Sequence, residues 1–159
     1  MQDPLEKLAR AGCYLSEERI AARAPLVKNS GEIRVLIVED DPSQLALAGL
    51  RASMGGYVVR LADSAAAMRR LVGEHGVPDI VLLDVMPPDG DGFEILAGLR
   101  QDPASAELPV ILLTAKTSLS DIERGIGLGA DGYVSKPYSY ERLNEVIRKV
   151  LKVRQRAAD

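Results

Sequence analysis

Residues 33–45 read IRVLIVEDDPSQL. Five apolar residues, broken only by Arg34, run straight into Glu39, Asp40 and Asp41. A short apolar run bounded by polar residues has the pattern of a buried strand, and the segment from Pro42 to Met54 has helical periodicity. A core strand that ends in three adjacent carboxylates needs a reason, and the pattern on either side supplies one.

Downstream, the same alternation recurs. Apolar runs lie at Ile33–Val38, Tyr57–Leu61, Ile80–Leu83, Val110–Leu113 and Tyr133–Val134, with helix-period segments between them at Pro42–Met54, Ser64–Glu74, Phe93–Gln101, Leu119–Leu128 and Tyr138–Val153. In the last segment Leu143, Val146, Ile147, Val150 and Leu151 form one apolar stripe. Five strand–helix units predict an α/β fold: a doubly wound, flavodoxin-like three-layer sandwich with a parallel sheet in the order 2-1-3-4-5. The composition agrees, being 47% hydrophobic but only 4% aromatic with no Trp, so the core is aliphatic.

Upstream, residues 1–31 read as a helical extension and linker. Leu5, Leu8, Gly12 and Leu15 follow at helical spacing, Ser16 can cap a second short helix through Ala24, and Lys28–Glu32 is turn-rich. The apolar residues Leu5, Leu8, Leu15 and Ile20 imply that the extension packs on something. Residues 32–154 form the main domain and 155–159 a tail.

In a doubly wound sheet, ligands bind at the carboxyl ends of the strands beside the switch in strand order. The first strand delivers Glu39, Asp40 and Asp41 there, the third Asp84, the fourth Thr114, and the fifth Ser135 and Lys136. Asp63, after the second strand, reads as a helix cap. Clustered carboxylates repel unless a cation sits among them, and a hard oxygen site suits Mg²⁺. Lys and Thr are poor Mg²⁺ ligands but good partners for phosphate oxygens. Metal, ammonium and hydroxyl together stabilise a phosphoryl group in transfer, with a carboxylate available as nucleophile. Any one of these residues alone would be an ordinary cap or surface group; their meeting at one sheet edge carries the reading.

On these residues the chain resembles the receiver domains of bacterial two-component response regulators, from Ile33 to about Val153. The matching pieces are VLIVEDD, DIVLLDVMPPDGDGFEIL, PVILLTA and GADGYVSKPYSYERL; Thr114 follows Asp84 by 30 positions and Lys136 follows it by 52. The resemblance implies that Asp84 accepts the phosphoryl group and binds Mg²⁺ together with Glu39, Asp40 and the backbone carbonyl of Met86. Asp41 belongs to the helix start. Thr114 and Lys136 would bind the phosphoryl oxygens, Thr114 and Tyr133 would form the conformational switch, and Lys136–Pro137 would be a cis peptide. An apolar Met86 implies slow loss of the phosphoryl group. Gly132 stands where an acidic residue is frequent, which weakens any carry-over of charged dimer contacts.

The implied function is phosphorelay signalling: a phosphoacceptor that assists its own phosphorylation and dephosphorylation, rather than an enzyme with an external substrate. Implied partners are a sensor histidine kinase or histidine phosphotransfer protein, an output domain or protein, and a homodimer. The alternative is a pseudo-receiver acting as an interaction module without phosphorylation; the intact set of Glu39, Asp40, Asp84, Thr114 and Lys136 speaks against it. Other chemistries fit poorly. Met86 stands where a haloacid-dehalogenase-type phosphatase needs a second Asp, and the Gly-Lys-Ser/Thr loop of a nucleotidase is missing. The Gly125–Gly132 run follows a helix, so it is a helix end and turn. His75 is the sole histidine, at a helix end, and Cys13 the sole cysteine. A net charge of −3 without a basic stripe gives no footprint for direct nucleic-acid binding. No apolar run approaches membrane-spanning length and the N-terminus has no signal-peptide pattern, so a cytoplasmic protein is expected.

Overall fold

The structure, a computed structural model, describes residues 4–85, 92–115 and 119–155. In chain order the elements are α1 (Pro4–Ala11), β1 (Cys13–Leu15), α2 (Glu17–Ala22), a 3-10 turn (Ser30–Glu32), β2 (Arg34–Val38), α3 (Pro42–Ser53), β3 (Val58–Ala62), α4 (Ala65–His75), β4 (Ile80–Asp84), α5 (Gly92–Gln101), β5 (Val110–Thr114), α6 (Leu119–Gly127), β6 (Gly132–Ser135) and α7 (Tyr140–Leu151).

β2 to β6 pair in parallel in the order β6-β5-β4-β2-β3, which is the predicted 2-1-3-4-5 arrangement read from the other edge. Side chains alternate across the sheet with period two. Val35, Ile37, Leu82, Ile111, Leu113 and Val134 face α3 and α7, packing on Ala48, Ala52, Leu143, Val146, Ile147 and Val150. Leu36, Val38, Val81, Leu83, Val110, Leu112 and Tyr133 face the other side, against Met68 of α4, Phe93 and Leu96 of α5 and Ile122 of α6. β4 and β5 are buried along their whole length, as a strand covered on both faces must be. Each Leu or Ile so buried contributes about 1.5–3 kcal/mol relative to exposure.

Short polar side chains start the helices. Asp41 caps α3, its Oδ1 accepting the Gln44 N–H at 3.0 Å, and Ser139 caps α7 through Arg142 N–H at 3.1 Å. At α4 the cap is Ser64, whose Oγ accepts the Ala67 N–H at 3.1 Å, and not Asp63 as the sequence suggested. The Gly-rich run closes α6 and turns at Gly129, with φ +95°. His75 ends α4 and is exposed.

The extension departs from the predicted pair of helices. α1 stops at Ala11, Gly12 turns at φ +71°, and Cys13–Leu15 add an antiparallel sixth strand to the β6 edge, with Cys13 opposite Val134, Tyr14 opposite Tyr133 and Leu15 opposite Gly132. The edge backbone of β6 offers hydrogen bonds that a third helical turn could not use, and Gly12 costs little in the left-handed region. Ser16 then caps α2, its Oγ accepting Arg19 N–H at 3.4 Å, as expected. Leu15 and Ile20 pack against the core on the α7 side. The Leu26 N–H donates to the Leu151 carbonyl at the end of α7 at 3.1 Å, and the Arg154 N–H donates to the Leu26 carbonyl at 2.9 Å, closing the arm against the domain.

Candidate functional site

Parallel pairing brings the carboxyl ends of β2, β4, β5 and β6 side by side. Val38 is level with Leu83, Asp84 with Leu113, and Thr114 with Ser135. The residues at or just beyond these positions are Glu39, Asp40, Asp84, Thr114 and Lys136, so the structure brings together the set that the sequence nominated. Carboxylate oxygens of Glu39, Asp40 and Asp84 all lie within 4.8 Å of one another. Glu39 and Asp84 are buried, while Asp40 is exposed and forms the open side.

Lys136 closes the cluster. Its Nζ donates to Asp84 Oδ2 at 2.6 Å and to Glu39 Oε2 at 3.1 Å. Its backbone N–H donates to the Thr114 carbonyl at 3.0 Å, which fixes the strand end from which the side chain reaches. The peptide to Pro137 is cis, as expected.

Three carboxylates face one ammonium. Burial pushes the Glu39 carboxyl up to about 7, with the hydrogen bond and charge of Asp84 adding to the rise and Lys136 opposing it. At Lys136 burial disfavours the ammonium, but the bonds and charges of Asp84 and Glu39 outweigh it and the net shift is upward. With three carboxylates around one ammonium, the cluster carries more negative than positive charge. A divalent, oxygen-seeking cation among Glu39, Asp40 and Asp84 would offset the excess, so the donor set fits Mg²⁺.

Thr114 ends β5 with only 2% of its surface exposed. Tyr133 on β6 is fully buried; burial raises its phenol pKa, the Asp121 charge adds, and a hydrogen bond with Thr114 works the other way. The Thr114 hydroxyl and the Tyr133 phenol, named from sequence as a switch, therefore act on each other. Met86 lies outside the described residues. The Gly92 N–H, at the start of α5, donates to the Val85 carbonyl, and a Cβ there would collide with the backbone of Asp84 and Val85. The Gly in DGDGF is thus what lets α5 start directly beneath the Asp84 peptide.

Sequence reading missed Asp131. It is fully buried and gathers four donors: Arg19 Nε at 3.1 Å and Arg23 Nη2 at 2.7 Å on Oδ1, with Arg100 Nη2 at 3.0 Å and the Val110 N–H at 2.9 Å on Oδ2. It ties the N-terminal arm to the end of the sheet opposite the carboxylate cluster. No signal in the sequence pointed to it, because Asp131 falls in the Gly-rich stretch that reads as a helix end and turn.

Residues 35–148 match the response regulator receiver domain family. The DNA-binding dual master transcriptional regulator RpaA of Synechocystis sp. is 35% identical over 119 residues, covering 75% of this chain and 49% of RpaA. The transcriptional regulatory protein KdpE of Mycobacterium tuberculosis is 34% identical over 125 residues, covering 79% of this chain and 54% of KdpE. The chain thus spans about half the length of these relatives. Among solved structures, a response regulator from Chloroflexus aurantiacus superposes with a TM-score of 0.71 at 30% identity, covering 76% of this chain and 98% of that one. The chemotaxis response regulator CheY4 of Vibrio cholerae gives 0.67 at 28%, covering 75% and 98%. No helix among the described residues is long and apolar enough to cross a membrane. The acid cluster clasped by Lys136, the five parallel strands that build it and the match along 35–148 agree: the chain belongs to the response regulator receiver domain family, whose work is phosphorelay signal transduction.

Proposed function

We propose that Asp84 accepts a phosphoryl group from a phosphohistidine on a sensor kinase or histidine phosphotransfer protein. The observation that carries this reading is the 2.6 Å contact between Lys136 Nζ and Asp84 Oδ2, inside a cluster whose other carboxylates complete a cation site. An Asp84 oxygen attacks phosphorus as the donor's P–N bond breaks, and the bond electrons leave with the imidazole nitrogen. Lys136 turns from the carboxylate to the incoming phosphoryl oxygens and offsets their charge. Thr114 donates its hydroxyl to one of those oxygens, which loosens its bond with Tyr133 and passes the change to β6. Glu39, Asp40 and Asp84, together with the Met86 carbonyl that the family resemblance implies, would hold Mg²⁺, which would supply electrostatic neutralisation of the transferring group. The chain is then a phosphoacceptor that assists its own phosphorylation and dephosphorylation, not an enzyme with an external substrate.

The receiver comprises residues 32–154, preceded by an extension at 1–31 and followed by a tail at 155–159. Its relatives are transcriptional regulators of about twice its span, which supports control of an output domain or protein partner as the downstream step. A second copy of the chain is a further partner, tested by mass in solution. A cytoplasmic site of action belongs to the same reading.

Incubation with acetyl phosphate and Mg²⁺, read by intact mass, tests the reading. One phosphoryl addition, abolished in Asp84→Asn, is expected. Absence of any addition, or an addition that survives that substitution, would overturn it.

A further inference from the structure

The N-terminal arm is well bonded and thinly packed. Tyr14 pairs opposite Tyr133, Ser16 N–H donates to the Asp131 carbonyl at 2.9 Å, and Arg23 reaches Asp131 at 2.7 Å. Yet α2 buries none of its residues, and a cavity of about 600 Å³ opens within the arm between α1, β1 and α2, lined by Arg10, Cys13, Leu15 and Ile20 and reaching α7 only at Lys149. A segment held by a few polar bonds over a gap opens at low cost compared with the core.

The Gly12 carbonyl of this arm is bonded one residue away from the lysine of the carboxylate cluster. Ser135 donates its N–H to the Gly12 carbonyl at 3.0 Å, and its Oγ lies 3.3 Å from the same oxygen. The next residue is Lys136, whose ammonium clasps Asp84 and Glu39 and whose N–H holds Thr114. The Ser135–Lys136 peptide is therefore tied to the arm at one end and to the acids at the other. Gly12 sits in the left-handed region at φ +71°, between the end of α1 and the start of β1, so its carbonyl is next to the β1–β6 pairing.

We propose that docking of the arm on β6 is coupled to the chemical state of Asp84: phosphoryl transfer draws Lys136 outward, strains the Ser135–Gly12 bond and loosens β1, uncovering the edge of β6. This rests on the phosphoacceptor reading. The ammonium now bonds a carboxylate oxygen directly. After transfer its acceptor lies a P–O bond further from the sheet, so the Lys136 backbone moves while the arm stays anchored at the other end of β6 through Ser16, Arg19 and Arg23 on Asp131. The coupling is reciprocal, so a weakened arm favours phosphorylation.

Cys13 is the only cysteine and sits in β1, half-buried, so its thiol reports the arm. The experiment follows the rate of Cys13 reaction with a thiol-exchange reagent (DTNB) in the full chain with Mg²⁺, with and without acetyl phosphate, alongside intact mass. A rise of about fivefold or more on phosphorylation is expected, the lower end of ordinary coupling between sites, and no rise in Asp84→Asn. Arg23→Ala should raise the basal Cys13 rate and the extent of phosphorylation together. A phosphoryl addition seen by mass with an unchanged or slower Cys13 rate overturns the coupling alone. So does an Arg23→Ala chain with a faster thiol but unaltered phosphorylation. No addition by mass removes the phosphoacceptor reading and the coupling with it.

Discussion

Lys136 Nζ lies 2.6 Å from Asp84 Oδ2 and 3.1 Å from Glu39 Oε2, so one ammonium neutralises carboxylates from two neighbouring strands. A divalent ion bound to those carboxylates would stand within a few ångströms of that ammonium. At about 5 Å and an effective dielectric near 20, two unit charges repel by about 3 kcal/mol, and a divalent ion doubles this. Lys136→Met should therefore tighten Mg²⁺ binding by about tenfold or more, measured by calorimetry, while slowing phosphoryl incorporation from acetyl phosphate. Unchanged Mg²⁺ affinity would mean that Lys136 and the ion do not share these oxygens.

The raised Glu39 carboxyl makes two further quantities depend on pH. With a folded value of about 7 against 4.5 for the ordinary group, the folded chain binds more protons than the unfolded chain between those values. The contribution of Glu39 to stability is thus most favourable below about pH 4.5 and declines as pH rises towards 7. Mg²⁺ competes with that proton. Its affinity should rise with pH, by up to about tenfold per unit, and level off above about 7, as read by calorimetric titrations across the range. A flat affinity through this range, or a metal-free melting temperature that climbs between pH 5 and 7 in wild type relative to Glu39→Gln, would contradict the assignment.

The carboxylate cluster was legible in sequence because a parallel sheet delivers every strand's last residue to one edge. The alternation of runs and helical stripes gave five strand–helix units, and the common 2-1-3-4-5 order of such folds then placed Glu39, Asp84, Thr114 and Lys136 together at one edge. What stayed hidden depends on partners far along the chain. Cys13–Leu15 continue the helical spacing of Leu5 and Leu8, and only the open β6 edge, about 120 residues on, turns them into a strand. Asp131 sits in a stretch that reads as a turn; its charge makes sense only with Arg19 and Arg23, 112 and 108 positions away. Local spacing carries no information on such pairs. Asp63 lost its expected role to Ser64, which lies one residue closer to the Ala67 N–H that needs an acceptor.

Asp131 should be the costliest single charge in the fold to remove. It is fully buried with three guanidinium partners and one backbone N–H, and breaking a buried pair by deleting one side costs about 3–5 kcal/mol because the other side is left uncompensated. Asp131→Asn should lower the denaturation free energy by about that amount in urea titrations and raise the basal reactivity of Cys13, since the arm loses its anchor. Arg19→Ala removes one partner of several and should cost much less. A loss below about 1 kcal/mol for Asp131→Asn would show that the arginines find solvent without penalty.

Two glycines of α5 offer a paired test of how the chain reaches Asp84. A Cβ at Gly92 would run into the backbone of Asp84 and Val85, atoms that cannot move aside like the end of a flexible side chain, and it would push on the Gly92–Val85 hydrogen bond. Overpacking of this kind costs about 1–3 kcal/mol or more. Because the strain falls on the Asp84 peptide itself, Gly92→Ala should both lower the melting temperature and reduce phosphoryl incorporation. Gly98 lies further along the same helix, where a Cβ meets nothing within 4 Å. There the substitution only removes unfolded-state freedom, so Gly98→Ala should stabilise by about 0.5–1 kcal/mol with incorporation unchanged. Equal effects of the two substitutions on phosphorylation would mean that the close approach beneath Asp84 is not what positions it.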